Sequence, residues 1–316
     1  MPEQHEEDNA AKSGASPHIE NAASLDKKDE VQAVVYRCPI DHSGGTIYLK
    51  GWIVEDSELP PIVIVHDLGE GVRFYRSLAV RLHALGFSTF CFDLRGHGRS
   101  GPVLGHAPSF HSLVKDLLQV VSWVRFKSGR RLPILMSQGV GSLITTYFQE
   151  IYPEYINHHI AISPHYKLSN TISRSTRLFV KMFGELSPRF KLPKALSLRL
   201  TTFGSGLPSK RQKAFKGVFS FGLLKELLQA LEGLPDVFIR CTHDCLIIIP
   251  QQVTEYDGIF VKNLLAKHPL RDKLLLLELG NISAHPLTEK EEYAVVLNSV
   301  LPWLEARLNR PILSVN

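Results

Sequence analysis

The clearest chemical information lies in five residues, Ser137-Gln138-Gly139-Val140-Gly141, inside LPILMSQGVGS at 132–142. An apolar run from Pro133 to Met136 leads into small residues and then into an apolar stretch of helical character. Strand, tight turn and helix in that order make a nucleophile elbow, G-x-S-x-G, which presents a serine hydroxyl on a strained backbone. Aligned through its downstream glycine, the frame places Gly139 at the reacting position. Glycine has no side chain with which to attack a carbonyl. The scaffold for nucleophilic acyl transfer is therefore expected without its attacking atom.

Two upstream segments share that chemistry. His66-Asp67-Leu68-Gly69-Glu70 follows the apolar run 61–66, and Asp93-Leu94-Arg95-Gly96-His97-Gly98-Arg99-Ser100 closes the run 88–93. Further on come IRCTHDCLIIIP and GNISAHPLTE. Over roughly residues 32–310 these segments resemble the α/β-hydrolase superfamily, in particular its monoacylglycerol lipase, lysophospholipase and serine-aminopeptidase-like branch. That branch carries HGxGE and DxRGHGxS turns, an acid in a G-x-x-D-like strand-end pattern and a histidine in a G-x-x-H pattern. The resemblance implies Asp244 as the triad acid, His285 as the triad base and Gly139 as the substituted nucleophile position. It also implies an oxyanion hole made by the amides of Leu68 and Val140. In active members the histidine removes the serine proton, the acid orients the histidine, and the two amides bind the oxyanion. Asp67 departs from the pattern, which keeps a glycine there. A carboxylate at 67 would repel a developing oxyanion if it pointed inward, and sequence does not set its direction.

Other serines are poor substitutes. Ser137 stands where the pattern wants a glycine for close packing, Ser142 begins the following helix, and Ser283 shares the histidine's own loop. A water activated by His285 would forgo covalent catalysis, a loss of several orders of magnitude. His97 is read as a structural part of its loop. His106, His111, His158, His159 and His268 show no metal-like spacing, so neither a metal nor a cofactor is implied. Cys38, Cys91, Cys241 and Cys245 lack zinc-ligand spacing and read as buried small apolar residues.

Short β-rich runs alternate with helical ones. Strands are expected at 31–37, 46–54, 61–66, 88–93, 133–137, 158–163, 236–241 and 273–279, and helices near 73–85, 110–127, 141–152, 222–232 and 289–308. Asp41-His42-Ser43-Gly44-Gly45 joins the first two strands as an antiparallel hairpin. Several strands are continuous apolar runs, as in a parallel sheet covered on both faces. The expected fold class is α/β: an α/β-hydrolase fold with a mostly parallel eight-stranded sheet, flanking helices and an inserted cap. The expected organisation is a disordered acidic segment at 1–30, a core formed by 31–164 plus 222–316, and a basic cap at 165–221.

Charge separates these parts. Residues 1–30 carry eight acidic and three basic side chains. Residues 170–220 carry eleven basic side chains against Glu185 alone, more positive charge than the +5 of the whole chain. Leu178, Phe179, Val180, Met182, Phe183 and Leu186 could form an apolar surface among Arg174, Arg177, Lys181 and Arg189. That is either a solvated face or a lid that meets an anionic membrane surface or an acidic ligand. No recognition motif accompanies the charge, so nucleic acid is not an expected partner. No signal peptide or membrane span is visible, and a cytoplasmic protein, peripheral to membranes at most, is expected.

Three functions remain open. One is a catalytically impaired hydrolase relative that binds a small acyl or lipid-like ligand under its cap. Another is an active carboxylic-ester or acylglycerol hydrolase using an unusual nucleophile or water. The third is a structural or interaction protein with a closed pocket.

Overall fold

The computed structural model describes residues 18–20, 32–39, 45–167, 173–193, 218–251, 255–280 and 282–312. Most of the acidic segment, the turn 40–44 and the stretches 168–172 and 194–217 of the expected cap, with Lys194, Arg199, Lys210, Arg211, Lys213 and Lys216, lie outside the described residues.

Nine strands form one sheet in the order β1-β2-β3-β5-β4-β6-β7-β8-β9. They are β1 (His18–Glu20), β2 (Val34–Pro39), β3 (Thr46–Trp52), β4 (Ile62–Val65), β5 (Thr89–Phe92), β6 (Ile134–Gln138), β7 (His158–Ile162), β8 (Cys245–Pro250) and β9 (Leu274–Leu279). The first three pair antiparallel, and from β5 to β9 every pairing is parallel. β1 lies within the acidic segment expected to be disordered and adds a ninth strand to the expected eight. β4, β5, β6 and β8 are buried along their whole length, which explains why their sequences do not alternate.

Helices cover both faces. On one face α2 (Phe110–Lys127), α3 (Val140–Ile151) and α5 (Phe221–Phe238) enclose a core around Leu117, Leu143, Phe148 and Leu227. On the other, α1 (Arg76–Ala84) and α7 (Lys290–Leu308) cover Leu78, Leu82, Leu297 and Trp303. The remaining helices are α4 (Arg174–Leu186), within the segment expected to form a cap, and α6 (Glu255–Lys267). Serine side chains cap three of them: the Ser109, Ser173 and Ser220 oxygens accept from the amides of Ser112, Thr176 and Leu223. Such caps satisfy amides that have no partner within the helix.

The strand expected at 236–241 is not a strand. Residues 236–238 end α5, and the strand of that region is β8, Cys245–Pro250. The apolar positions of α5, Leu223, Leu224, Leu227, Leu228, Leu231 and Leu234, recur at helical spacing and continue the buried face through Val237. A short β-branched run at the end of such a face packs as helix.

Helix α4 lays Phe183 against Phe221 at 5.4 Å between ring centres, and Val180 is buried. Lys181 pairs with Glu232 at 2.8 Å. Leu178, Phe179, Met182 and Leu186 stay exposed, joined by Phe190. Of the residues expected at the apolar surface, Phe183 instead packs α4 against α5 and Val180 is buried. Among the described residues no helix is long and apolar enough to cross a membrane.

Candidate active site

Loops leaving the carboxyl ends of β4, β5, β6, β7 and β9 converge, the usual place for a site in a parallel sheet. Gly139 links β6 to α3 with φ 57° and ψ −123°, a backbone that L side chains rarely adopt. Gly141 permits the close approach of α3 to β4, because a β-carbon there would strike the carbonyl oxygens of Val65 and His66.

Asp67 points inward. Its Oδ1 accepts hydrogen bonds from the Leu68 amide at 2.8 Å and the Val140 amide at 2.7 Å. These are the two amides that the family resemblance implies for an oxyanion hole. A β-carbon built on Gly139 would overlap the Asp67 carboxylate. One internal carboxylate thus fills the space in front of the turn and engages both amides expected to bind an oxyanion. Two histidines flank it: His285 Nδ1 lies 3.6 Å from Oδ2, and His165 Nδ1 lies 3.6 Å from Oδ1. The backbone holds His165 in place, its amide donating to the Gly139 carbonyl at 3.1 Å.

Glu70 stands beside them. Its Oε1 lies 3.1 Å from His285 Nδ1, and it accepts the hydroxyl of Tyr75 and the amide of Asp67. Burial pushes the Tyr75 hydroxyl well above its usual range, and the Glu70 carboxylate adds to the shift. Gln138 ties the pieces together. Its side-chain nitrogen donates to both Glu70 oxygens at 3.2 Å, while its oxygen accepts from the Leu287 amide at 3.1 Å. The residue between Ser137 and Gly139 therefore fixes the acid and the loop that carries the histidine.

Gly139, Leu68, Val140 and His285 come together. Asp244 does not join them. It precedes β8 at the amino end of the strand, where its carboxylate lies 3.6 Å from Arg307 Nε. The strand starts after Asp244 rather than ending before it, which sends this residue to the opposite edge of the sheet. Glu70 is the nearer of the two carboxylates that face His285, Asp67 being the other. The signal for it was the glutamate that closes His66-Asp67-Leu68-Gly69-Glu70.

Ser137 is fully buried, with Oγ 2.7 Å from His159 Nε2 between neighbouring strands. Ser142 Oγ accepts from Ser137, and Ser283 donates to Glu292 at 2.7 Å. His97 is buried, with Nδ1 3.1 Å from the Arg95 carbonyl, and burial pushes its imidazole down to about 3. Arg95 forms a bidentate pair with Asp116 of α2, Nε–Oδ2 at 2.8 Å and a second nitrogen to Oδ1 at 2.5 Å. That pair anchors the 93–100 loop. Among the described residues no group of three His, Cys, Asp or Glu is arranged to hold a metal ion.

The sequence profile of the serine aminopeptidase S33 family matches residues 60–249, more than half of the chain. The chain belongs to that family. The match includes Asp67, Glu70, the 93–100 loop and the Gly139 turn, and ends before His285. An uncharacterized abhydrolase domain-containing protein of Dictyostelium discoideum is 24% identical over 61% of this chain and 20% of its own length. A probable lysophospholipase L2 of Haemophilus influenzae is 27% identical over 33% of this chain and 34% of its own. The chain thus aligns with only a minority of the length of these two relatives. The crystal structure of the Paleococcus ferrophilus monoacylglycerol lipase superimposes with a TM-score of 0.67 and 20% identity, covering 83% of this chain and 99% of that one. At that identity the likeness establishes the α/β-hydrolase fold and nothing finer.

Proposed function

We propose that this S33 family member has lost serine-type ester hydrolysis and binds an acyl or lipid-like ligand beneath its basic cap. The observation that carries the reading is the relationship of Asp67 to Gly139. The elbow has no side chain, its outlet is filled by a carboxylate, and both oxyanion donors are already engaged. Ester hydrolysis through a tetrahedral intermediate depends on those donors, and losing even one costs about a hundredfold or more in rate. The lipid-like ligand is supported by the family's lipid-ester relatives and by the cap, where exposed Leu178, Phe179, Met182 and Leu186 adjoin exposed Arg174 and Arg189. The same face suits an anionic lipid surface, which would make a cytoplasmic protein peripheral to membranes.

The test pairs two measurements on purified full-length protein. Turnover of a short p-nitrophenyl acyl ester is expected to be no greater than that of His285→Ala. A fluorescent fatty acid is expected to bind and to be displaced by unlabelled fatty acid. Ester turnover that disappears in His285→Ala would contradict the loss of catalysis. Absence of fatty-acid binding would favour the closed-pocket interaction protein.

A further inference from the structure

We infer that the acidic run Glu3–Asp8 of this same chain docks across the exposed face of α4 and competes there with other anions. The consequence for a lipid surface rests on the function proposed above; the contact itself does not.

The face lacks counter-ions. The carboxylates beside it are already engaged, Glu185 with Lys225 at 2.9 Å and Glu232 of α5 with Lys181 at 2.8 Å. Among the described residues no ion pair reaches Arg174, Arg189 or Lys191, and all three are exposed. Arg174 opens α4, and the other two stand in the turn that follows it. Between them lie exposed Leu178, Phe179, Met182 and Leu186. Thirteen helical residues span about 20 Å. Glu3, Glu6, Glu7 and Asp8, drawn out as an extended chain, span about 17 Å. One end of the run can therefore meet Arg174 while the other meets Arg189 and Lys191.

Topology brings the acids to this side of the molecule. Two antiparallel pairings, β2 with β3 and β3 with β5, make β2 run in the direction of the parallel strands. β1 runs against β2, with His18 opposite Arg37. The chain entering His18 therefore arrives from the carboxyl edge of the sheet. The α4 face stands at that edge too: Phe183 packs on Phe221, and the neighbouring Ser220 amide donates to the carbonyl of Gly105, just past the 93–100 loop. The route from β1 crosses β2, α2 through Trp123 on Tyr36, and α5 through Glu226 on the Phe110 amide. Strand and helix spacings make that about 35 Å. An extended chain from His18 back to Glu6 covers about 40 Å. Tethering turns individually weak ion pairs into an intramolecular contact at high effective concentration. Once docked, the run covers Met182 and screens the cations from an anionic lipid surface.

Met182 is the reporter, because Met136 is fully buried and Met1 falls in a separate peptide. Peroxide oxidation of Met182, followed by peptide mass spectrometry at low salt, compares the natural chain with Glu3→Gln/Glu6→Gln/Glu7→Gln/Asp8→Asn. Oxidation is expected to be at least about threefold faster in the variant, the population shift that a few exposed ion pairs supply. Arg174→Gln/Arg189→Gln/Lys191→Gln should give the same increase. At 1 M salt, where screening acts within about 3 Å, the difference should vanish. Zero-length carbodiimide coupling of the natural chain should join an acid of the Glu3–Asp8 run to Lys191 or Lys181. Equal oxidation rates of the natural chain and the acid-neutralised variant at low salt would overturn the inference. Protection that rises with protein concentration would also overturn it, by placing the run on a second copy. The assay contains no lipid, so failure of fatty-acid binding would leave its result standing.

Discussion

The carboxylate of Asp67 lies where a β-carbon on residue 139 would have to be, and it holds that position by accepting from the Leu68 and Val140 amides. The two departures from the family pattern are therefore one spatial event. A side chain at 139 requires Asp67 to move, and Asp67 in this position requires glycine at 139. Both amides are satisfied by protein rather than by a substrate oxygen, and a buried donor with a charged acceptor is among the stronger hydrogen bonds. Beyond repelling an oxyanion, the inward carboxylate engages both amides that the family resemblance implies for one.

The loop that carries Asp93 to Ser100 depends on the Arg95–Asp116 pair, both members of which are buried. Removing one partner leaves a buried charge without compensation, and Asp116→Ala is expected to cost about 3–5 kcal/mol. Urea denaturation followed by circular dichroism measures it. A loss below about 1 kcal/mol would mean that the pair behaves like a surface ion pair.

Acid should weaken the fold before its carboxylates begin to titrate. Burial pushes His97 and His159 down to about 3, and His158, His243 and His268 shift the same way for the same reason. In the unfolded chain these imidazoles protonate near about 6.5, so below that pH the unfolded state binds protons that the folded state refuses. Stability should be flat above about pH 7, fall as pH drops through about 6.5, and level off for His97 and His159 only near about 3. The urea midpoint between about pH 6.5 and 5, where histidines dominate the titration, reads the effect. His159→Gln, which keeps a partner for Ser137, should flatten the slope. An unchanged slope would show that His159 is not held neutral.

Ser137 looks chemically suggestive in isolation, 2.7 Å from a histidine nitrogen. Its position inside the sheet makes the pair structural. Ser137→Ala should cost roughly 1–3 kcal/mol by leaving His159 Nε2 without that partner. Neither protein should react with a fluorophosphonate probe. Labelling that disappears in the alanine variant would make Ser137 a nucleophile.

Most of the sheet was legible because apolar strand runs and helical spacing are local signals. Its strands at 46–54, 61–66, 88–93, 133–137, 158–163 and 273–279 all lie where the sequence places them, within a residue or two at each end. The failure at 236–241 was also local. DVFIRC has strand-forming residues, yet α5 already presents a buried face that these residues extend. That shift moved the strand by several residues and carried the wrong acid, Asp244, into the inferred site. Glu70 was visible only as the last residue of a turn motif. Its role depends on His285, Gln138 and Tyr75 arriving from three other segments. The direction of Asp67 was not legible at all. A side-chain torsion set by an amide 73 residues away leaves no local trace.

The central claim is that Asp67 and Gly139 together silence an otherwise assembled ester-hydrolysis site. The direct measurement compares initial rates on a short p-nitrophenyl ester for the natural chain, Gly139→Ser, Asp67→Gly and the double variant Asp67→Gly/Gly139→Ser. With the carboxylate still in place, the serine has neither room nor free oxyanion donors, and Asp67→Gly alone has no nucleophile. Only the double variant should turn over, at least about 100-fold faster than either single variant, in keeping with the non-additivity of groups that act as a unit. Equal activity in Gly139→Ser and the double variant would contradict the account, because Asp67 would then not be the block.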